Sequence, residues 1–149
     1  MAGTELAFAV FGLVSQLLLT AFFALRRWAP DRAGPVGVAA YGAALLGLPV
    51  GVALALAGAP LTLVGGPLLA AAWAVLGATV DLVRPRPWRG PPPEWRVLLP
   101  YVVLYLLAQM WLWWPLWNVA RGAWVAYLVV FVANTALNLR GHVGSASAR

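Results

Sequence analysis

Long apolar runs alternate with short polar or proline-rich breaks along the whole chain. The runs extend from about Leu6 to Leu25, Val36 to Ala57, Pro67 to Val83, Val97 to Leu116 and Ala123 to Leu139. Each is close to the ~20 residues that a helix needs to cross the hydrocarbon core of a bilayer. The pattern predicts an all-α integral membrane bundle of five transmembrane helices. The third run is the least regular, because Gly65-Gly66-Pro67 interrupts it. That span either starts at Pro67, whose missing N–H costs nothing in a first turn, or begins near Leu61 with a kink. The predicted spans are then 6–25, 36–57, 61–83, 97–117 and 123–139, within a single transmembrane domain over 1–140. Pro49 removes a backbone hydrogen bond inside the second span and should kink it.

The connections are short, leaving no room for a soluble head. The one sizeable loop, over 84–95, reads "RPRPWRGPPPEW", and its five prolines favour a stiff, extended spacer. After Leu139 the chain turns small and polar, and residues 141–149 are predicted to be a flexible tail. Inside a bilayer helices associate by close packing, so small residues at four-residue spacing mark their contacts. Ala43, Gly47, Gly51 and Ala55 form such a stripe on the second span, and Ala9, Gly12, Gln16 and Thr20 a comparable face on the first. An interhelical hydrogen bond is the expected use of Gln16.

Composition agrees with this picture. Hydrophobic residues make up 63% of the chain and charged residues 9%, against roughly 25% charged in soluble domains. The net charge of +6 is carried entirely by arginine, with no lysine. In a soluble chain it would point to nucleic acid. Here Arg26, Arg27 and Arg32 follow span one, Arg84, Arg86, Arg89 and Arg96 follow span three, and Arg140 and Arg149 follow span five; Arg121 alone lies on the other side. Because short cytoplasmic loops collect positive charge, this places the amino terminus outside and the carboxyl terminus inside, as expected in a prokaryotic cytoplasmic membrane. Fusing a reporter that is active only in the cytoplasm to each end in turn should give signal from the carboxyl-terminal fusion. Signal from the amino-terminal fusion alone would invert the assignment. The first run is not read as a cleaved signal, because its positive charge follows the apolar stretch.

Chemistry has little to work with. There is no cysteine for a thiolate, disulfide or metal site, and the titratable groups are Glu5, Asp31, Asp81, Glu94 and the single His142, which lies in the tail. No pair of histidines is available for a haem or di-metal centre. Asp81 is expected to pair with Arg84, three residues on. No enzyme motif is present, so the chain is read as non-catalytic, without nucleic-acid partner or certain cofactor.

What remains is aromatic and amide equipment on the last two spans. Trp124, Tyr127, Phe131, Asn134 and Asn138 recur at three- and four-residue spacing on one face of span five. Lipid offers the two asparagines no partner, so they are expected to point inward. Tyr101, Tyr105 and Gln109 make a matching strip on span four, with Trp113 one turn on. Two readings fit: a helix–helix seam held by amide and phenol hydrogen bonds, or the wall of a pocket for a flat apolar ligand. On the second, Tyr105, Gln109, Trp113, Tyr127, Phe131, Asn134 and Asn138 are the ligand-binding residues. The segment "MWLWWPLWN", Met110 to Asn118, adds four tryptophans. They cannot all line one pocket, since Trp113 and Trp117 point roughly opposite to Trp111 and Trp114 on a helix. Trp113 and Trp117 are the pocket candidates, as they continue the Gln109 side; Trp114, Trp117 and Trp124 also suit an interfacial belt.

The stretch "VAYLVVFVANTALN", Val125 to Asn138, resembles the last helix of the translocator and tryptophan-rich sensory protein (TspO/MBR) family. The loop segment "PWRGPPPEW" is similar to that family's tryptophan and double-proline loop, although here it stands after span three and not span one. The resemblance implies a five-helix bundle, often a dimer, that binds a porphyrin or another flat hydrophobic molecule in sensing or transport. It also implies that Tyr127 and Asn138 belong to the ligand site. The chain thus carries two functional expectations. One is a binder of an apolar small molecule between helices four and five; the other is a structural or accessory subunit of a larger membrane complex. A ligand site requires a cavity beside Tyr127, and a subunit requires a filled seam there with an exposed stripe at Gly47 and Gly51.

Overall fold

The computed structural model describes residues 3–83 and 93–146, with side chains as far as Leu137. Among the described residues every regular element is helical. Helix α1 is Gly3–Trp28, α2 is Pro30–Leu45 and α3 is Gly47–Leu56. Helix α4, Leu61–Ala78, closes in a π-helical turn, Thr79–Val83. Helix α5 is Trp95–Trp113, α6 is the short Leu116–Val119, and α7 is Arg121–Ala146. Four stretches, Gly3–Trp28, Pro30–Leu56, Leu61–Val83 and Trp95–Val119, are long and apolar enough to cross a membrane, and Arg121–Leu137 is a shorter apolar helix. The chain is a multi-pass helical membrane protein.

Local chemistry explains the breaks. Pro49 cannot donate to the Leu45 carbonyl and its ring crowds that group, so the predicted kink falls one turn earlier, at Leu46. The ladder resumes at once: Leu46 N–H bonds the Gly42 carbonyl at 3.2 Å, and Val50 N–H bonds that of Leu46 at 3.1 Å. At the other end of α3, Gly58 takes a left-handed φ of 70°. Its N–H bonds the Ala55 carbonyl at 3.0 Å and that of Ala59 bonds Leu54 at 2.9 Å, the paired closure that a glycine after the last turn permits.

Helix α4 begins at Leu61, and Gly65-Gly66-Pro67 does not end it. These glycines are a contact: a Cβ on Gly65 would come within 2.7 Å of Trp111 Nε1, and one on Gly66 within 3.0 Å of the Trp111 carbonyl. The small-residue stripe on the second span also departs from its prediction. Gly47 and Gly51 are buried against α4, but Ala55 is exposed and Leu54 takes its place in the core at 3% exposure. The reason is helical drift within α3: Ala55 stands ~80° round the helix from Gly47, whereas Leu54, seven residues on, stays within ~20° of it. Trp95 opens α5, which shortens the predicted proline-rich loop by a residue, and 84–92 lie outside the described residues. Helix α7 continues beyond Leu139 to Ala146, where a loose tail is predicted; Gly141 and Gly144 are single glycines that a helix tolerates, and no proline stops it.

Successive long helices run antiparallel. Gly37 meets Phe22 and Gly47 meets Phe11 across α1 and the α2–α3 pair, while Gly77 meets Tyr41 and Gly51 meets Leu68 across that pair and α4. Gly66 meets Trp111 and Trp73 meets Tyr101 across α4 and α5. Helices α1 and α7 are consequently parallel, with Gly12 against Tyr127. The core divides into two tiers. One holds Phe8, Phe11, Leu54, Leu63, Val64, Leu112, Leu116 and Tyr127; the other holds Leu19, Ala40, Tyr41, Ala44, Trp73 and Ala74.

Candidate functional site

The facing strips of α5 and α7 meet, as their inward-pointing polar groups require. Tyr127, 1% exposed, donates its phenol hydrogen to Gln109 Oε1 at 2.7 Å. Roughly two turns deeper by helical rise, Asn134 is fully buried and its Nδ2 donates to the Tyr105 hydroxyl at 3.1 Å. Phe131 is half-buried against the first tier of the core. Trp113 stacks on Trp124 with ring centroids 4.8 Å apart and planes at 27°. The side chain of Asn138 lies outside the described residues. The strips therefore form a packed seam around Tyr127, which belongs to the same core cluster as Phe8 and Leu112.

The tryptophans divide by face as helical spacing predicts, Trp113 and Trp117 both against Trp124, but the groove lies on the other face. Helix α5 ends at Trp113, but Trp114 and Pro115 keep right-handed helical dihedrals, so Leu116 to Val119 continue in nearly the same phase. Trp117 ends up exposed, edge-on to Trp124 at 5.2 Å, with the Arg121 guanidinium 5.1 Å from its ring centre. That stacking suits a charged rim around an aromatic belt. A groove of ≈ 270 Å³ is lined instead by Trp111 and Trp114, with Thr62, Met110 and Pro115. It opens on the outside of the bundle, between the start of α4 and the end of α5. Trp113 and Trp117 do not line it.

Sequence reasoning missed a second aromatic group, in the other tier. Trp73 sits among Tyr41, Tyr101 and Tyr105, with ring centroids 5.4, 5.7 and 5.6 Å away. The Tyr41 hydroxyl donates to Asp81 Oδ2 at 2.6 Å and lies 3.4 Å from that of Tyr101. Asp81 is thus held by a phenol of the second span; its predicted partner Arg84 lies outside the described residues. The π-helical turn that carries Asp81 widens the end of α4. Tyr41 and Trp73 stand as single aromatics in otherwise apolar runs, so no spacing in the sequence singles them out.

Gln16 also differs from expectation. It is 1% exposed, yet neither its Nε2 nor its Oε1 has a hydrogen-bond partner; only its backbone carbonyl is engaged, by Thr20 Oγ1 at 2.9 Å. Among the described residues no three of His, Cys, Asp and Glu come together as a metal-binding group. No protein-family model, characterised protein or solved structure matches the chain. The likeness to the TspO/MBR family rests on the residues of α7 and the proline-rich segment alone.

Proposed function

We propose that the protein is a non-catalytic structural or accessory subunit of a larger membrane complex, crossing the bilayer five times with its amino terminus outside. The observation that supports this reading is the filled seam at Tyr127, where a ligand site would need a cavity. A Gly47–Gly51 docking stripe is not part of the proposal, because both glycines are used within the bundle. The partner face is assigned to α5. Only 17% of its apolar window is covered within the bundle, against 39, 33 and 50% for the three preceding spans. Val103, Leu107, Met110 and Trp114 project outward from it. Such a face packs equally well on lipid or on another helix, since neither is more apolar than the other. Shape and small contacts decide which.

The test is photo-cross-linking in native membranes from an unnatural benzophenone side chain placed at Val103 or Leu107. A discrete protein adduct, whether to another subunit or to a second copy, is the expected product. Lipid adducts alone at both sites would remove the subunit reading. A second reading is favoured by the groove at Trp111 and Trp114, whose ≈ 270 Å³ approaches the ~300 Å³ at which small-molecule sites begin. It would bind a flat apolar molecule, such as a porphyrin, at the outer rim and not between α5 and α7. Saturable quenching of tryptophan fluorescence by a porphyrin, lost in Trp111→Leu, separates that reading from the first.

A further inference from the structure

Among the described residues five buried side-chain polar atoms have no hydrogen-bond partner: Trp113 Nε1, near the end of α5, and four on α1, α4 and α7, Gln16 Nε2 and Oε1, Trp73 Nε1 and Asn134 Oδ1. Inside a membrane such atoms are costly, because no solvent competes for them and an unmatched amide loses on the order of kcal/mol. The four on Gln16, Trp73 and Asn134 are also complementary. Two are donors and two are acceptors, which is the capacity of a water molecule seen from the other side.

Their positions converge. Gly12 of α1 lies against the Tyr127 ring at 3.6 Å, measured from the Cβ it lacks. Gln16 is one turn further along the same face of α1, ~6 Å deeper by helical rise. Asn134 is seven residues on from Tyr127 on the parallel α7, so ~10 Å deeper and on the face that meets α5. The two residues thus stand within ~4 Å of one another along the bundle, and their amides do not bond each other. Trp73 joins them from α4, in the cluster that contains Leu19, three residues beyond Gln16. The side chains at this height are small: Ala44, Ala70, Ala71 and Ala108 are all buried. A buried polar site with two to four partners is one that holds water.

We propose that Gln16, Asn134 and Trp73 form an internal water-binding site at the centre of the bundle, where bound water joins the Gln16 amide to the Asn134–Tyr105 pair. Water donates to Gln16 Oε1 and Asn134 Oδ1 and accepts from Gln16 Nε2 and Trp73 Nε1. With Tyr101, Tyr41 and Asp81 next to Trp73, the site carries hydrogen-bonding groups from the Asp81 end of α4 to mid-membrane.

The chain has two glutamines, Gln16 and Gln109, so side-chain 15N labelling of glutamine in the full-length protein gives two amide signals. Loss of one signal in Gln16→Met, or of the other in Gln109→Met, assigns them whichever variant folds. In lipid nanodiscs the Gln16 amide is expected to show a dipolar cross-peak to water together with slow exchange into D2O, the pattern of a bound internal molecule. The cross-peak should disappear in Asn134→Leu while the Gln16 signal persists. A folded protein whose Gln16 amide contacts Asn134 or Trp73 protons and no water would overturn the site. So would rapid D2O exchange, which means open solvent, and a water cross-peak unchanged in Asn134→Leu would remove Asn134 from it.

Discussion

Gly47→Ala is expected to lower the stability of the folded protein by about 3 kcal/mol or more, the upper range for forcing atoms into a packed core. A Cβ at this position would stand 2.1 Å from the Pro67 carbonyl oxygen and 2.9 Å from its carbon, both backbone atoms of α4. A flexible side chain could rotate away; a helix backbone must translate, taking its neighbours with it. Gly42→Ala is the control. It lies five residues earlier in the same span, and nothing stands within 4 Å of the added carbon, so helix propensity alone should leave it neutral or up to ~1 kcal/mol more stable. Unfolding in mixed micelles of rising SDS fraction, followed by circular dichroism, measures both. Equal midpoints for the two variants would mean that α3 and α4 do not approach at Gly47.

Truncating Tyr127 to alanine should cost about 3–5 kcal/mol, the range for emptying a large aromatic site in a core. The ring is 1% exposed, packs in the tier with Phe8 and Leu112, and lies against Gly12. Tyr127→Phe separates the ring from its hydroxyl and leaves Gln109 Oε1 without its donor. Its expected cost is only about 1 kcal/mol, since interhelical hydrogen bonds in membranes average less than that. A double-mutant cycle with Gln109→Leu in the same SDS titration should return a coupling of ~0.6 kcal/mol. Zero coupling would show that the 2.7 Å contact contributes nothing to stability. An alanine variant as stable as the phenylalanine variant would mean that the ring faces lipid.

These residues also mark how far the sequence could be read. Hydropathy and the cost of exposing amides to lipid were sufficient to bring Tyr127 to Gln109 and Asn134 to Tyr105, because period and polarity together leave one inward face. The glycine stripe was legible at Gly47 and Gly51 and failed at Ala55, since repeated four-residue steps drift round a helix and Leu54, seven residues after Gly47, keeps to the inward face. The two tryptophan faces were legible as well, but which of them carries the groove depends on Thr62 at the start of α4, which no spacing in α5 reveals. Gln16 was recognisable as inward-facing but not as unpartnered, because satisfaction depends on what the other helices bring to its height. The Tyr41–Asp81 contact joins residues forty positions apart, and no local pattern encodes it.

The break at Leu46 bears on how the bundle sits in membranes of different thickness. A span that is one rigid rod meets a thinner or thicker bilayer by tilting as a whole, which drags every neighbour with it. Here the second span is two shorter rods, and α3 is pinned to α4 where Gly47 presses on Pro67. A change in hydrocarbon depth can be taken up as a change of angle between the two rods at Leu46, while Gly47, Gly51 and Leu54 hold α3 in place and α2 keeps its register with Phe22 and Gly77. Accommodation is thereby confined to one corner of the bundle.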